Sequence, residues 1–105
     1  MIARTWHGRV RADQGDEYYA ILQRSGLADY RATPGNRGVL VLRRTEGDVT
    51  QFVLTSFWDS FDAIRIFAGD EYERAHYYAE DDRYLLEKEP FVTHHDVVMA
   101  DVAAL

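Results

Sequence analysis

The imidazole and indole side chains are the groups in this sequence best suited to chemistry. His76 can exchange a proton near neutral pH, or ligate iron through a ring nitrogen. Trp58 and Trp6 offer broad planar faces on which another flat ring can stack. These residue types favour a pocket for a planar aromatic molecule with His76 as the proton-transfer group. They also suit ordinary interior packing, and the sequence leaves both interpretations open.

Tyrosines cluster around His76. The chain has seven tyrosines, and Tyr77 and Tyr78 could line a cleft and hydrogen-bond a quinone-like oxygen. Tyr72 falls with His76 on one stripe of a predicted helix, where helix packing or a dimer contact would serve equally well. We therefore predict two sets of site residues. The catalytic set is His76 and Trp58, and the substrate-binding set is Trp6, Tyr72, Tyr77 and Tyr78.

Sequence signals for other chemistries are weak or absent. Cysteine is absent, which excludes disulfides, thiolate zinc sites, iron–sulfur clusters and a cysteine nucleophile. His94 and His95 are adjacent, so on a strand they point to opposite faces and cannot easily share one metal ion. No phosphate-binding glycine loop, dinucleotide fingerprint or nucleophile elbow is visible. Any redox chemistry would then require that the substrate itself supplies the electrons, or that heme is bound.

Charge and hydropathy restrict the partners. The formal net charge is -6, which disfavours duplex nucleic acid and anionic membranes. Basic residues cluster only at positions 31–37 and 43–44, both short and typical of solvated charge. No apolar run approaches the ~20 residues that span a bilayer, and the N-terminus lacks a signal-peptide pattern. We predict a cytoplasmic protein that binds neither nucleic acid nor membrane.

The elements that must position these residues follow one another in a single domain, residues 1–105. Helix starts are indicated at Asp13 and at Asp59 or Ser60, with stops at Gly26 and Gly69. Pro34, Gly35 and Asn36 mark a turn inside an irregular connection, residues 27–38. In chain order the prediction is strand 2–10, helix 13–26, strands 39–44 and 49–58, helix 60–69, helical segments 70–78 and 81–89, strand 91–98 and tail 102–105.

This order, β-α-β-β-α-β, predicts a ferredoxin-like α+β fold with a four-stranded antiparallel sheet. On the first strand, alternation places Ile2, Arg4, Trp6 and Val10 on one face. The opposite face would carry Ala3, Thr5 and His7.

The middle strands are apolar on both faces, at residues 39–42 and 52–54. An antiparallel sheet with one wet face should alternate apolar with polar residues, and two helices can cover only one face. A second copy of the sheet would cover the other face, so we predict a homodimer. A misassigned register is the alternative explanation.

Four segments resemble antibiotic biosynthesis monooxygenase-like proteins: residues 1–6, 33–38, 57–69 and 75–87. The resemblance covers nearly the whole chain. It implies a dimeric α+β barrel, in which two sheets meet, with a cleft between each sheet and its helices. Some members of that superfamily are cofactor-independent oxygenases of polycyclic aromatic polyketides, some degrade heme, and many have no assigned activity.

Trp58 and His76 stand where the heme-degrading branch of that superfamily has a tryptophan and a histidine. That branch also has an asparagine on the first strand, which is missing here: Trp6 stands near its place, so a polar group expected over the heme is absent and heme degradation is disfavoured. The resemblance therefore implies three alternatives. The leading one is cofactor-independent oxygenation of a planar aromatic small molecule, favoured by a pocket lined with these groups and opposed by a filled cleft. The others are heme binding or degradation, and a non-catalytic dimeric binding protein.

Overall fold

The computed structural model describes residues 1–103. In that range the strands are β1 (Ile2–Arg11), β2 (Asn36–Glu46), β3 (Val49–Trp58) and β4 (Thr93–Asp96). The helices are α1 (Gly15–Arg24), α2 (Gly26–Ala32) and α3 (Phe61–Ala68), with short 3-10 turns at Ala12–Gln14 and Ala79–Arg83. The strands form one antiparallel sheet in the order β2-β3-β1-β4. This is the predicted ferredoxin-like α+β arrangement.

Strand β1 lies inside the sheet, between β3 and β4. It pairs with β3 along its whole length, from Ile2 opposite Trp58 to Arg11 opposite Val49. Ile2, Arg4, Trp6 and Val10 are buried on the face that the helices cover, as the alternation predicts. This side of the sheet is called the core face below, and the other side the outer face.

Between β1 and β2 the chain forms two helices, α1 and α2, where the sequence predicted a single helix at residues 13–26. The prediction of an irregular connection from residue 27 is wrong, because α2 begins at Gly26 directly after α1 ends. Leu27 and Tyr30, three residues apart on α2, are both buried against the sheet. The chain bends between the helices at Ser25, whose hydroxyl donates to the Ile21 carbonyl over 2.7 Å. Burial of two apolar side chains therefore outweighs the helix-stop signal of Gly26.

Helix α3 follows its predicted signals. The Ser60 hydroxyl accepts a hydrogen bond from the Ala63 N–H over 3.2 Å, which caps the first turn. Gly69 ends the helix with a φ of 85°, a conformation that glycine adopts without strain.

Residues 70–92, the covering segment, are mostly non-helical. The predicted helix at 70–78 is wrong, and of the predicted turns at 81–89 only the 3-10 turn at Ala79–Arg83 forms. Long-range hydrogen bonds replace helical ones here: Arg4 donates to the carbonyls of Tyr72 and Arg74, and the Ala75 N–H donates to the Pro90 carbonyl. The segment is therefore held extended across the core face.

The C-terminal strand is shorter than predicted. The expected strand at 91–98 is reduced to β4, which pairs with β1 from Ile2 opposite Asp96 to Thr5 opposite Thr93. The predicted tail at 102–105 lies partly outside the described residues. Within residues 1–103, no helix has the length and hydropathy needed to cross a membrane.

Candidate functional site

A small cavity lies between the core face of the sheet, the first two helices and the covering segment. Its volume is about 30 Å³, which is room for about two water molecules. Aromatic rings dominate the wall, with one guanidinium, one imidazole and one carboxylate among them. The lining residues are Arg4, Trp6, Tyr18, Leu22, Gly26, Tyr30, Leu54, Phe67, His76, Tyr78 and Asp81.

His76 lies at the mouth of this cavity, on the covering segment. Its side chain is exposed, yet its ring packs edge-on against Tyr78 at 5.0 Å and obliquely against Phe67 at 5.3 Å between centroids. One edge of the imidazole thus faces solvent while the ring borders the cavity. This position suits a group that moves protons between a bound molecule and bulk water.

Tyr78 forms the other side of the mouth. Its hydroxyl hydrogen-bonds Asp29 on α2, and its backbone N–H donates to Oδ2 of Asp81 over 2.8 Å. Burial raises the pKa of Tyr78, and the hydrogen bond to Asp29 raises it further. The phenol therefore stays neutral at physiological pH and can donate a hydrogen bond.

Trp6 forms part of the floor. Its Nε1–H donates to the Tyr77 hydroxyl over 3.3 Å, and that hydroxyl donates to the Glu89 carbonyl over 2.6 Å. The indole lies across Gly8, where an added Cβ would come within 2.1 Å of the ring. Glycine at position 8 therefore allows the indole to lie flat. Tyr77 stands behind Trp6 and does not line the cavity.

Trp58 is fully buried and lies one layer behind the cavity wall. Its ring centroid is 5.6 Å from that of Phe67 and 5.9 Å from that of Tyr30, both of which line the cavity. Its Nε1–H donates to the Ser56 hydroxyl over 2.9 Å. Trp58 thus supports the wall and does not itself line the cavity.

Tyr72 lies on the far side of Arg4, away from the cavity. Its ring packs on Phe61 at 5.2 Å and on His94 at 5.5 Å. The His94 Nε2 is buried without a hydrogen-bond partner among residues 1–103. Burial, the Arg4 charge and His95 together lower the pKa of His94 to about 4. His94 is therefore a neutral, packed ring.

Two further residues of the site were not selected from the sequence. Arg4 is 2% exposed, and Nη2 donates to the Tyr72 carbonyl over 3.3 Å and to the Arg74 carbonyl over 3.0 Å. Asp81 is 3% exposed and accepts from the Tyr18 hydroxyl over 2.9 Å. A signal for Arg4 was present, since it alternates with Ile2 and Trp6 on the core face. The sequence gave no signal for Asp81, because it lies in the acidic run of residues 80–82, and such a run usually marks a solvated helix start.

Histidine and carboxylate groups do not assemble into a metal site. In the part of the chain that the structure describes, no group of three or more His, Asp or Glu side chains could hold an ion. His94 pairs with Arg4 across β1 and β4 and faces the core, while His95 pairs with Ala3 and faces outward. The two histidines lie on opposite faces, as their adjacency predicts.

A porphyrin does not fit this site. The cavity of about 30 Å³ admits neither a macrocycle nor a smaller polycycle while the covering segment is in place, so the groups that line it decide the fit. Trp6 fills the floor with an indole whose only polar atom, Nε1, is already bonded to Tyr77. The His76 ring is packed between Phe67 and Tyr78. The residues present therefore do not form a heme cradle.

Solved structures share this fold. The heme-degrader MhuD from Mycobacterium tuberculosis, with two hemes bound in its active site, matches with a TM-score of 0.65 and 19% identity, covering 98% of this chain and 100% of that one. A mutant of MhuD with two manganese protoporphyrin IX molecules bound per active site matches with a TM-score of 0.63 and 20% sequence identity. The match covers 99% of this chain and 100% of that one. A candidate antibiotic biosynthesis monooxygenase from Bacillus cereus matches with a TM-score of 0.60 and 14% sequence identity, covering 97% of each chain.

These likenesses show that the chain has the fold of antibiotic biosynthesis monooxygenase-like proteins. The resemblance inferred from the sequence is thereby confirmed at the level of the fold. No protein-family model matches the chain, and no curated protein matches it in sequence.

Proposed function

We propose that this protein is a cofactor-independent oxygenase acting on a small planar aromatic molecule bound between the sheet and the covering segment. The observation that carries the proposal is the placement of His76 at the mouth of a cavity walled by Trp6, Tyr30 and Tyr78. These rings offer stacking faces, and the imidazole offers a base with access to water. One protein of the same fold degrades heme, a flat molecule, which supports a planar ligand.

The proposed reaction needs no added reductant. A phenolic polycycle with an activated CH₂ group loses a proton, and the resulting carbanion gives its electrons to O₂. Reprotonation gives a hydroperoxide, which loses water to leave a carbonyl. The balance is R₂CH₂ + O₂ → R₂C=O + H₂O. Both oxygen atoms are accounted for, and the substrate supplies every electron.

His76 is the proposed proton carrier in this scheme. It takes the proton from the CH₂ group and returns it to the peroxide, and its exposed edge exchanges protons with solvent. Tyr78 and Trp6 are the proposed ligand contacts. Trp58 has an indirect role, since it holds Phe67 in place. Tyr72 and Tyr77 support Arg4 and Trp6 rather than touching the ligand.

Ligand entry requires the covering segment to move, because an aromatic polycycle is several times larger than the cavity of about 30 Å³. Two solvent-exposed contacts hold this edge to the helices: the Tyr78–Asp29 hydrogen bond and the Arg24–Glu80 ion pair. Exposed polar contacts contribute little net stability, so this edge opens at small cost. The deeper Tyr18–Asp81 contact would keep the rest of the segment in place.

We also propose a homodimer formed by the outer faces of two sheets. Leu42 lies opposite Val53 on that face, and Phe57 lies opposite Ala3. Leu42 is 53% exposed in the single chain. Apolar strand residues with no covering layer are typical of a protein interface, and symmetric dimers are the commonest assemblies.

The test of the enzymatic proposal is oxygen uptake with anthrone, a flat tricycle with an activated CH₂ group. The expected result is protein-dependent oxygen consumption that falls on the order of 100-fold or more in His76→Gln. The matched control is His95→Gln, an exposed histidine on the outer face, which should keep the full rate. Equal rates in the wild type and His76→Gln would remove His76 from the mechanism, and no uptake in any form would contradict the activity.

A further inference from the structure

We propose that Arg4 is an anion-recognition residue, and that the molecule bound in the cavity carries an ionised oxygen, as a carboxylate or a phenolate. This inference rests on the proposed ligand site and goes further by naming the charge of the ligand. It is carried by a buried cation that borders the cavity without an opposite charge paired to it.

A buried guanidinium is costly unless it is paired. Arg4 is 2% exposed, on the core face between Ile2 and Trp6, and a guanidinium remains protonated at neutral pH. Removing such a charge from water carries a large free-energy penalty, which is why buried arginines usually contact a carboxylate. Among residues 1–103, Arg4 forms no ion pair.

The hydrogen bonds of Arg4 leave part of the guanidinium unused. Nη2 donates to the carbonyls of Tyr72 and Arg74, which fixes the planar head. Nε is buried without an acceptor in the described part of the chain. An unpartnered buried donor carries a free-energy penalty that a ligand oxygen would relieve. The Tyr30 hydroxyl also lies beside the guanidinium, so Arg4 meets only neutral protein oxygens, and its Nε–H remains open to a ligand acceptor.

The surroundings of the guanidinium favour an aromatic anion. The Phe67 ring lies 5.5 Å from the Arg4 Cζ, and Tyr30 and Tyr78 share the cavity wall. Asp81 also lines the cavity, but its two oxygens already accept from the Tyr18 hydroxyl and the Tyr78 N–H. Asp81 keeps its charge but lies beyond ion-pairing distance of Arg4, so an anionic ligand at Arg4 would be the nearest opposite charge.

An anion bound at Arg4 also fits the proposed chemistry. A guanidinium stabilises negative charge on an oxygen more strongly in a water-poor site than in water. Arg4 would hold the ionised oxygen while His76 at the mouth removes the carbon-bound proton. A charged head and a flat ring together define the expected ligand: an acidic, planar aromatic.

The test compares two probes of equal shape, 2-naphthoate and the neutral 2-naphthamide, by titration of the wild-type protein. We expect the carboxylate to bind on the order of tenfold or more tightly, as a charge-assisted hydrogen bond implies. Arg4→Gln should reduce the preference to about twofold or less, and Arg4→Lys should retain part of it. The matched control is Arg31→Gln, an exposed arginine of α2, which should leave the preference unchanged.

The outcomes separate a failure of the anion site from a failure of the proposed ligand pocket. Equal affinity for the two probes in the wild type would overturn the anion site and leave the aromatic pocket standing. Failure of both probes to bind would contradict the pocket itself, and the anion site with it. If Arg4→Gln is unfolded by circular dichroism, the wild-type ratio and Arg4→Lys still give the answer. A carboxylate preference retained in folded Arg4→Gln would assign recognition to another group.

Discussion

The Tyr18 hydroxyl donates a hydrogen bond to Oδ1 of Asp81 over 2.9 Å, and both side chains are buried. The contact joins α1 to the 3-10 turn of the covering segment, 63 residues further along the chain. Asp81 also accepts from the Tyr78 N–H, so one carboxylate orders both the turn and the residue at the cavity mouth. The position of the candidate site therefore depends on a contact between two polar groups that are distant in sequence.

Removing the Tyr18 hydroxyl should destabilise the protein. Tyr18→Phe leaves a buried carboxylate oxygen without its donor, so we expect the free energy of unfolding to fall by about 1–3 kcal/mol. Urea denaturation measures this change. Tyr19→Phe removes a hydroxyl from the exposed neighbouring tyrosine and should change stability by less than about 0.5 kcal/mol. Equal effects of the two variants would show that the Asp81 contact contributes nothing.

His94 should make the fold sensitive to mild acid. Its folded-state pKa is about 4, lowered from 6.5 mainly by burial and then by the Arg4 charge. The unfolded chain therefore binds a proton first as pH falls, and stability decreases between about pH 6.5 and pH 4. Above that window His94 is neutral in both states, so its contribution is constant.

The measurement for His94 is the free energy of unfolding in urea across that pH window. His94→Gln should flatten the pH dependence relative to the wild type, whatever its stability at neutral pH. His95→Gln, which changes the adjacent outward-facing histidine, should keep the wild-type slope. A His94→Gln slope equal to that of the wild type would show that His94 is protonated in the folded protein over this range.

A charge on the outer face of the sheet should prevent dimer formation. Leu42→Asp places a carboxylate opposite Val53, where two sheets would meet, and burial of an unpaired charge is costly. Sedimentation velocity should give a dimer for the wild type and a monomer for Leu42→Asp. Leu86→Asp alters an equally exposed leucine of the covering segment and should leave the dimer intact. A monomeric wild type at high protein concentration would refute the interface.

Hemin should not bind through His76. Trp6 offers no polar group to a porphyrin because its Nε1–H is bonded to Tyr77, and the His76 ring is packed against Phe67 and Tyr78. Absorbance titration of the wild type and of His76→Ala should therefore give the same Soret spectrum. A saturable shift at one hemin per chain, lost in His76→Ala, would instead establish a heme site.

Most of the sheet was predictable because its side chains alternate. Ile2, Trp6 and Val10 identify the core face of β1 from the sequence alone, and Gly47 marks the hairpin turn with a φ of 59°. The capped helix after Ser60 was equally clear. In each case, a local pattern and the tertiary environment favour the same structure.

The covering segment was not predictable in this way. The spacing of Tyr72 and His76 suits a helical stripe, but the backbone there is fixed by hydrogen bonds from Arg4, about 70 residues earlier. Local periodicity carries no information about such a donor. For the same reason Tyr72 was expected at the ligand, whereas the structure places it against His94.

The most direct test of the central proposal is a reaction of the metal- and cofactor-free protein with anthrone under ¹⁸O₂. We predict that each O₂ consumed places one ¹⁸O atom in the product carbonyl and one in water, without added reductant, and that His76→Gln suppresses the labelled product. Unlabelled product, or oxygen uptake that appears only with a reductant or added heme, would contradict the account.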